Sequence, residues 1–161
     1  MPGPEVRRRT AVRAILFTPE RETLLIRMRP PQGGEEFWVT PGGGLRPGEA
    51  TETALRRELA EELGLTRVTI GPVLLRRRHT FSWGGERIRQ SEQLHIVPVN
   101  RFETQMRDPV EGRFVLGLGW FGITELKDMG DRLTPKTLGV ILEDYLASGP
   151  PEQAPLEVIV E

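Results

Sequence analysis

Residues 43 to 65, GGLRPGEATETALRRELAEELGL, constrain the chain more than any other stretch. The glycine- and proline-dense start cannot be helical. From Glu49 or Ala50 the pattern predicts a helix, ending at Gly64, a natural left-handed cap. At about 100° per residue, with Leu55 at zero, Leu59 and Leu63 follow at about 40° and 80° as a buried stripe. Glu62, Glu58 and Glu61 then fall at about -20°, -60° and -120°. The acids therefore flank the buried stripe, while Arg56 and Ala60 point away from it. No basic residue lies between Glu58 and Glu62 in the sequence. Like charges at this spacing cost a few tenths of a kcal/mol each, roughly, on an open surface, and more beside a core. A divalent cation would reverse the sign of that interaction. The helix alone reads equally well as a solvated acidic surface. The glycine turn favours the cation, because a hard ion takes oxygen ligands, backbone carbonyls included, and Gly42, Gly43 and Gly44 let the main chain approach.

Around this helix the pattern alternates between strands and turns. Residues 10–17 and 23–29 read as strands split by a turn at 19–22. A loop at 30–34 leads to a short apolar run at 37–39. Strand character resumes at 68–78, SWGGE (82–86) reads as a hairpin tip, and a strand returns over 87–99. Residues 100–119 give no clear pattern, and 120–129 can hold a short helical turn. Thr134 and Pro135 predict a helix start, with the helix running to about residue 146. The tail LEVIVE (156–161) either adds an edge strand or stays loose. No repeat or linker interrupts the 161 residues, so a single domain over 1–161 is expected.

Composition excludes several chemistries. Without cysteine there is no disulfide, thiolate nucleophile or Cys-based zinc site. A net charge of -1 gives no whole-chain reason to expect a nucleic acid polymer or a membrane as partner. The amino terminus lacks a signal-like apolar core, and no apolar run approaches the ~20 residues of a membrane span. A soluble cytoplasmic protein is the expectation.

Residues 43–65 resemble the Nudix box, G-x5-E-x7-R-E-U-x-E-E-x-G-U with U a bulky aliphatic. Gly43, Glu49, Arg57, Glu58, Leu59, Glu61, Glu62, Gly64 and Leu65 fill it without departure. With residue usages of roughly 5–10%, seven such identities coincide by chance about once in 10⁸ starts. The preceding W-x-x-P-G-G at 38–43 is also similar to this MutT-like family. The resemblance implies an α/β fold, a Nudix-type α/β/α sandwich around a mixed central sheet. It implies metal-dependent hydrolysis of a nucleoside diphosphate linked to another moiety. It makes Glu58 and Glu62 the principal Mg²⁺ or Mn²⁺ ligands, Glu61 a further or water-mediated one, and the Gly42 carbonyl a backbone ligand. Arg57 and Glu49 are assigned to scaffolding. Glu58 is the first choice of general base, ahead of Glu92; Glu103 and Glu111 cannot be ranked.

Substrate contacts are more open. Arg27 and Arg29 share a strand face and either reach a phosphate or stay solvated. Phe81 and Trp83 flank the hairpin tip and either stack on a base or cover the sheet edge. Glu92 alternates with Ile88, Leu94 and Ile96, so it lies near the metals or pairs with an arginine. Arg76, Arg77 and Arg78 must split between two faces, and His79 and His95 read as structural. Two rival readings remain: a nucleotide-sensing module on the same fold, and an isoprenoid diphosphate isomerase, which usually needs a cysteine absent here. Many relatives pair as homodimers, which makes a homodimer an option by analogy.

Overall fold

The structure is a computed structural model and describes residues 5–104 and 114–161. Its strands are β1 (Val6–Phe17), β2 (Glu22–Met28), β3 (Phe37–Val39), β4 (Gly42–Gly44), β5 (Val73–Trp83), β6 (Glu86–Pro98), β7 (Val115–Gly122), β8 (Leu133–Thr134) and β9 (Leu156–Val160). The helices are α1 (Thr51–Leu63), α2 (Ile123–Asp128) and α3 (Leu138–Ser148). One mixed sheet runs β8-β3-β2-β1-β6-β5-β9, with β4 added to β1 and β7 to β2. The central pair β1–β6 is parallel along its length, whereas β5–β6 is an antiparallel hairpin.

Period-two alternation on β1 divides the core into two layers. Val12, Ala14 and Leu16 pack beneath Leu55, Leu59 and Leu63 of α1. Ile15 and Phe17 face the other way, onto Leu126 of α2 and Leu138 and Leu142 of α3. The result is the α/β/α sandwich expected. Complete burial of side chains such as Leu55 and Leu59 contributes about 1.5–3 kcal/mol each, an upper range. The helix ends as its sequence predicts. Gly64 adopts φ 69°, and the N–H groups of Gly64 and Leu65 donate to the Ala60 and Leu59 carbonyls.

Three expectations need correction, and the choice left open for the tail is decided. The glycine turn contains a short strand, β4, whose Gly42, Gly43 and Gly44 pair with Arg13, Val12 and Ala11. Residues 68–72 are not strand, because Val68 and Ile70 pack onto the core beneath α1 as loop. Thr134 belongs to β8, its bond to Pro135 is cis, and α3 starts at Leu138 with Thr137 as cap residue. The tail forms β9, parallel to β5, at the end of the sheet.

Candidate functional site

The glycine strand and α1 meet at Gly43. A Cβ added there would lie 2.5 Å from the Glu58 carboxyl carbon, so only a hydrogen fits between the backbone and that acid. At Gly42, φ is 142° and an added Cβ would lie 2.2 Å from the Val12 carbonyl oxygen. The Gly42 N–H donates to Glu62 Oε1 at 3.1 Å, tying the second acid to the same backbone. Glu58 is buried, whereas the Glu61 side chain is 43% exposed.

Arg57 organises the acids. It grips Glu49 in a fork, Nε to Oε2 at 2.9 Å and Nη2 to Oε1 at 2.8 Å. Its Nη1 also donates to Glu58 at 2.9 Å and reaches Glu61 at 3.4 Å, and Nη2 donates to the Gly44 carbonyl at 3.1 Å. The Arg57 hydrogen bond and the Arg46 N–H bond hold the Glu49 carboxyl at about 2, well below the usual range, and Glu49 raises the Arg57 guanidinium. Arg46 lies 3.5 Å from Glu61. Repulsion among the helix acids is thus relieved from outside the 58–62 segment, which linear spacing did not reveal.

Glu92 resolves differently. It is 3% exposed and sits under the sheet with Arg13 and Arg77. Arg13 Nε donates to Oε2 at 2.7 Å, Arg77 Nη1 to Oε1 at 2.5 Å, and Gln90 Nε2 to Oε2 at 2.8 Å. Burial alone would raise this carboxyl, but the charges and hydrogen bonds of Arg13 and Arg77 outweigh it and hold it at about 2. Of the two placements open to Glu92, the arginine pairing is the one observed, and its oxygens face protein donors instead of a ligand. Arg13 also donates from Nη1 to the Thr40 carbonyl at 2.8 Å, linking Glu92 to the turn that precedes Gly42. Arg13 and Gln90 were not singled out from the sequence, and Arg77 only as one of the run Arg76, Arg77 and Arg78. The available signal was alternation: Arg13 falls on the same face of β1 as the buried Ile15 and Phe17.

The substrate candidates divide. Arg27 and Arg29 both pair with Glu36, each at 3.0 Å, on side chains that remain substantially exposed. Trp83 is held edge-on between Phe37, at 6.5 Å, and Phe114, at 5.8 Å, which fastens the hairpin tip to β3. Phe81 lies 4.8 Å from the His79 ring. His95 Nδ1 is 2.8 Å from the Gly71 carbonyl, a bond that pins the 65–72 loop. Glu103 is exposed, and Glu111 lies outside the described residues.

Among the described residues, no three acidic or histidine side chains already converge as a metal-binding set. The donor chemistry nevertheless fits a hard divalent ion. Glu58, Glu61 and Glu62 supply oxygen, and the missing Cβ at Gly43 lets the main chain lie directly against the Glu58 carboxylate.

Comparison with known proteins agrees with this geometry. The family model described as NUDIX domain matches residues 7–139. A MutT NUDIX hydrolase from Burkholderia pseudomallei is 31% identical, with 85% of this chain and 97% of that one aligned at a TM-score of 0.55. A NUDIX hydrolase from Nitrosomonas europaea reaches a TM-score of 0.68 over 98% of this chain and 81% of its own, at 19% identity, a likeness of fold alone. An RNA pyrophosphohydrolase of Escherichia coli is 53% identical over 34 residues, which are 21% of this chain and 19% of that protein. The match to the curated relatives thus spans under a fifth of their length.

Proposed function

The chain belongs to the NUDIX family, and from that premise we propose that it is a divalent-metal-dependent hydrolase acting on the pyrophosphate linkage of a nucleotide-type diphosphate. The observation that carries the reading is the close approach of Gly43 to the Glu58 carboxylate, which only a glycine permits and which brings main-chain groups of the glycine strand against the acids of α1. Mg²⁺ or Mn²⁺ bound there would neutralise phosphoryl oxygens and lower the pKa of a bound water. Glu58 and Glu62 are the principal ligands, with Glu61 and the Gly42 carbonyl completing the set.

The side chains have separable tasks. Glu58 takes the proton from the attacking water, since it sits deepest among the acids and is oriented by Arg57. Arg57 and Glu49 hold the helix against the glycine strand through the Gly44 carbonyl. Glu92 supports the same strand at one remove, through Arg13 and Thr40. Arg27 and Arg29, whose guanidinium groups remain partly open, receive substrate phosphates, and Phe81 or Trp83 lies against the nucleoside. The full domain, residues 1–161, acts as one unit.

The test is a panel of nucleoside triphosphates, oxidised nucleotides, nucleotide sugars and dinucleoside polyphosphates, incubated with the protein and Mg²⁺ or Mn²⁺. Release of phosphate, pyrophosphate or a nucleoside monophosphate is the expected result. Tight binding without product would favour a nucleotide-sensing module instead.

A further inference from the structure

A concave site lies at the carboxyl end of β1, away from Arg57 and the helix acids. It is a cavity of about 760 Å³, lined at its charged edge by Arg21, Arg67 and Arg101 and at its apolar wall by Phe17, Phe102 and Tyr145. Gly43 pairs with Val12, and Phe17 is about five residues, or ~17 Å, further along the strand. None of the acids of α1 lines it, and no carboxylate does. Arg101 reaches Glu22 at 3.0 Å, whereas Arg21 and Arg67 form no salt bridge among the described residues.

The backbone at Arg21 supplies an independent argument. Strands β1 and β2 are joined by the three-residue loop Pro19, Glu20 and Arg21. The Arg21 N–H donates to the Thr18 carbonyl and the Thr18 N–H to the Glu22 carbonyl, both at 2.9 Å. In this turn the third loop residue must be left-handed, and glycine is the residue that adopts it without strain. Here it is an arginine, with φ 65°, the only non-glycine residue of positive φ among the described residues. The fold alone would favour glycine there; the guanidinium at the edge of the cavity is what glycine could not provide.

We propose that this cavity binds a small phosphate dianion carrying an aromatic ring, of the nucleoside monophosphate class. Arg21 and Arg67 take the phosphate through charge-assisted hydrogen bonds, and the ring lies against Phe102 and Tyr145. Phe102 is braced for this by Trp120, whose ring is 5.2 Å away and whose Nε1–H donates to the Phe102 carbonyl at 3.3 Å. A concave, largely apolar cleft edged by arginines has the general form of a small-molecule site.

The test uses the metal-free full-length chain and adenosine 5′-monophosphate as probe. Tyr145 is the only tyrosine in the sequence, so its labelled ring resonances report this cavity without ambiguity. A saturable shift of those resonances is expected, with inorganic phosphate binding more weakly than the nucleotide. Arg21→Gly should weaken binding about tenfold or more while the thermal midpoint holds or rises, because the left-handed strain is removed. Arg67→Ala should weaken binding similarly, and Glu62→Gln should leave it unchanged. A Tyr145 ring that does not respond, an Arg21→Gly chain that binds as tightly as the parent, or phosphate matching the nucleotide would each overturn the proposal.

Discussion

Two sets of carboxylates face arginines in this molecule, and they are built for different ends. Glu92 is enclosed: three donors from Arg13, Arg77 and Gln90 occupy its two oxygens, and 3% of the residue is exposed. Glu58, Glu61 and Glu62 are gathered on one side of α1, where one arginine is shared among several acids and the glycine strand lies directly against Glu58. In the first set both oxygens of one carboxylate are matched by protein donors. In the second a single guanidinium, that of Arg57, is shared among Glu49, Glu58 and Glu61. That difference in satisfaction, more than the number of acids, separates a structural ion pair from a set able to bind a further cation.

The largest effect should follow from neutralising an acid of the second set. Glu58→Gln or Glu62→Gln is expected to lower turnover by orders of magnitude, roughly 10²-fold or more, with the thermal melt nearly unchanged. A phosphate-release assay beside a circular dichroism melt measures both. Near-normal turnover in either variant would erase the distinction drawn between the two sets, since the acids of the second set would then be ordinary surface charges.

Glu92→Gln should show the reverse pattern. It takes from Arg13 and Arg77 their nearest counter-charge, leaving Arg77 only Glu157 at 3.9 Å, and removing one partner of such a set costs about 3–5 kcal/mol. Urea denaturation should register that loss, while the folded fraction retains most of its turnover. Loss of turnover at unchanged stability would mean that Glu92 belongs with the reacting groups after all.

The acid response sharpens the same contrast. The folded carboxyl of Glu92 is held at about 2, below its ordinary value of 4.5. Its ion pairs therefore stabilise the fold fully above pH 4.5, and that stability is lost as pH falls toward 2. Stability should decline across this window in the parent, and the decline should flatten in Glu92→Gln. A parent and variant with parallel acid slopes would assign the acid response elsewhere.

The two sets also differ in how much of them the sequence disclosed. The helix acids were legible because a helix is local: Leu55, Leu59, Leu63 and the cap at Gly64 fix which side Glu58 occupies. The fork from Arg57 to Glu49 followed from the resemblance to the Nudix box. The Glu92 network depends on register between strands far apart in the chain, with Glu92 opposite Ala11 on β1 and Arg77 on β5. Alternation gives a face, but no single-strand pattern gives a register. Strand β4 was hidden for a related reason, since three glycines carry little strand preference and their pairing with β1 is purely tertiary. The start of β5 was misread because Val68 and Ile70 are apolar for packing under α1, not for a place in the sheet.

The smallest expected effect concerns Arg27 and Arg29, which stand between the two extremes. Each pairs with Glu36 on an exposed part of the surface. Pairs of this kind contribute about 0–1 kcal/mol, because water screens them and two long side chains must be ordered to form them. Arg27→Ala and Arg29→Ala should therefore barely move the melt. If these guanidinium groups receive substrate phosphates, KM for the preferred nucleotide should rise several-fold, roughly the worth of one charge-assisted hydrogen bond, while kcat is held. Because the fold is indifferent to these two residues, any shift in KM reports the ligand directly. Unchanged KM in both variants would return them to the solvated surface and leave phosphate recognition to other groups.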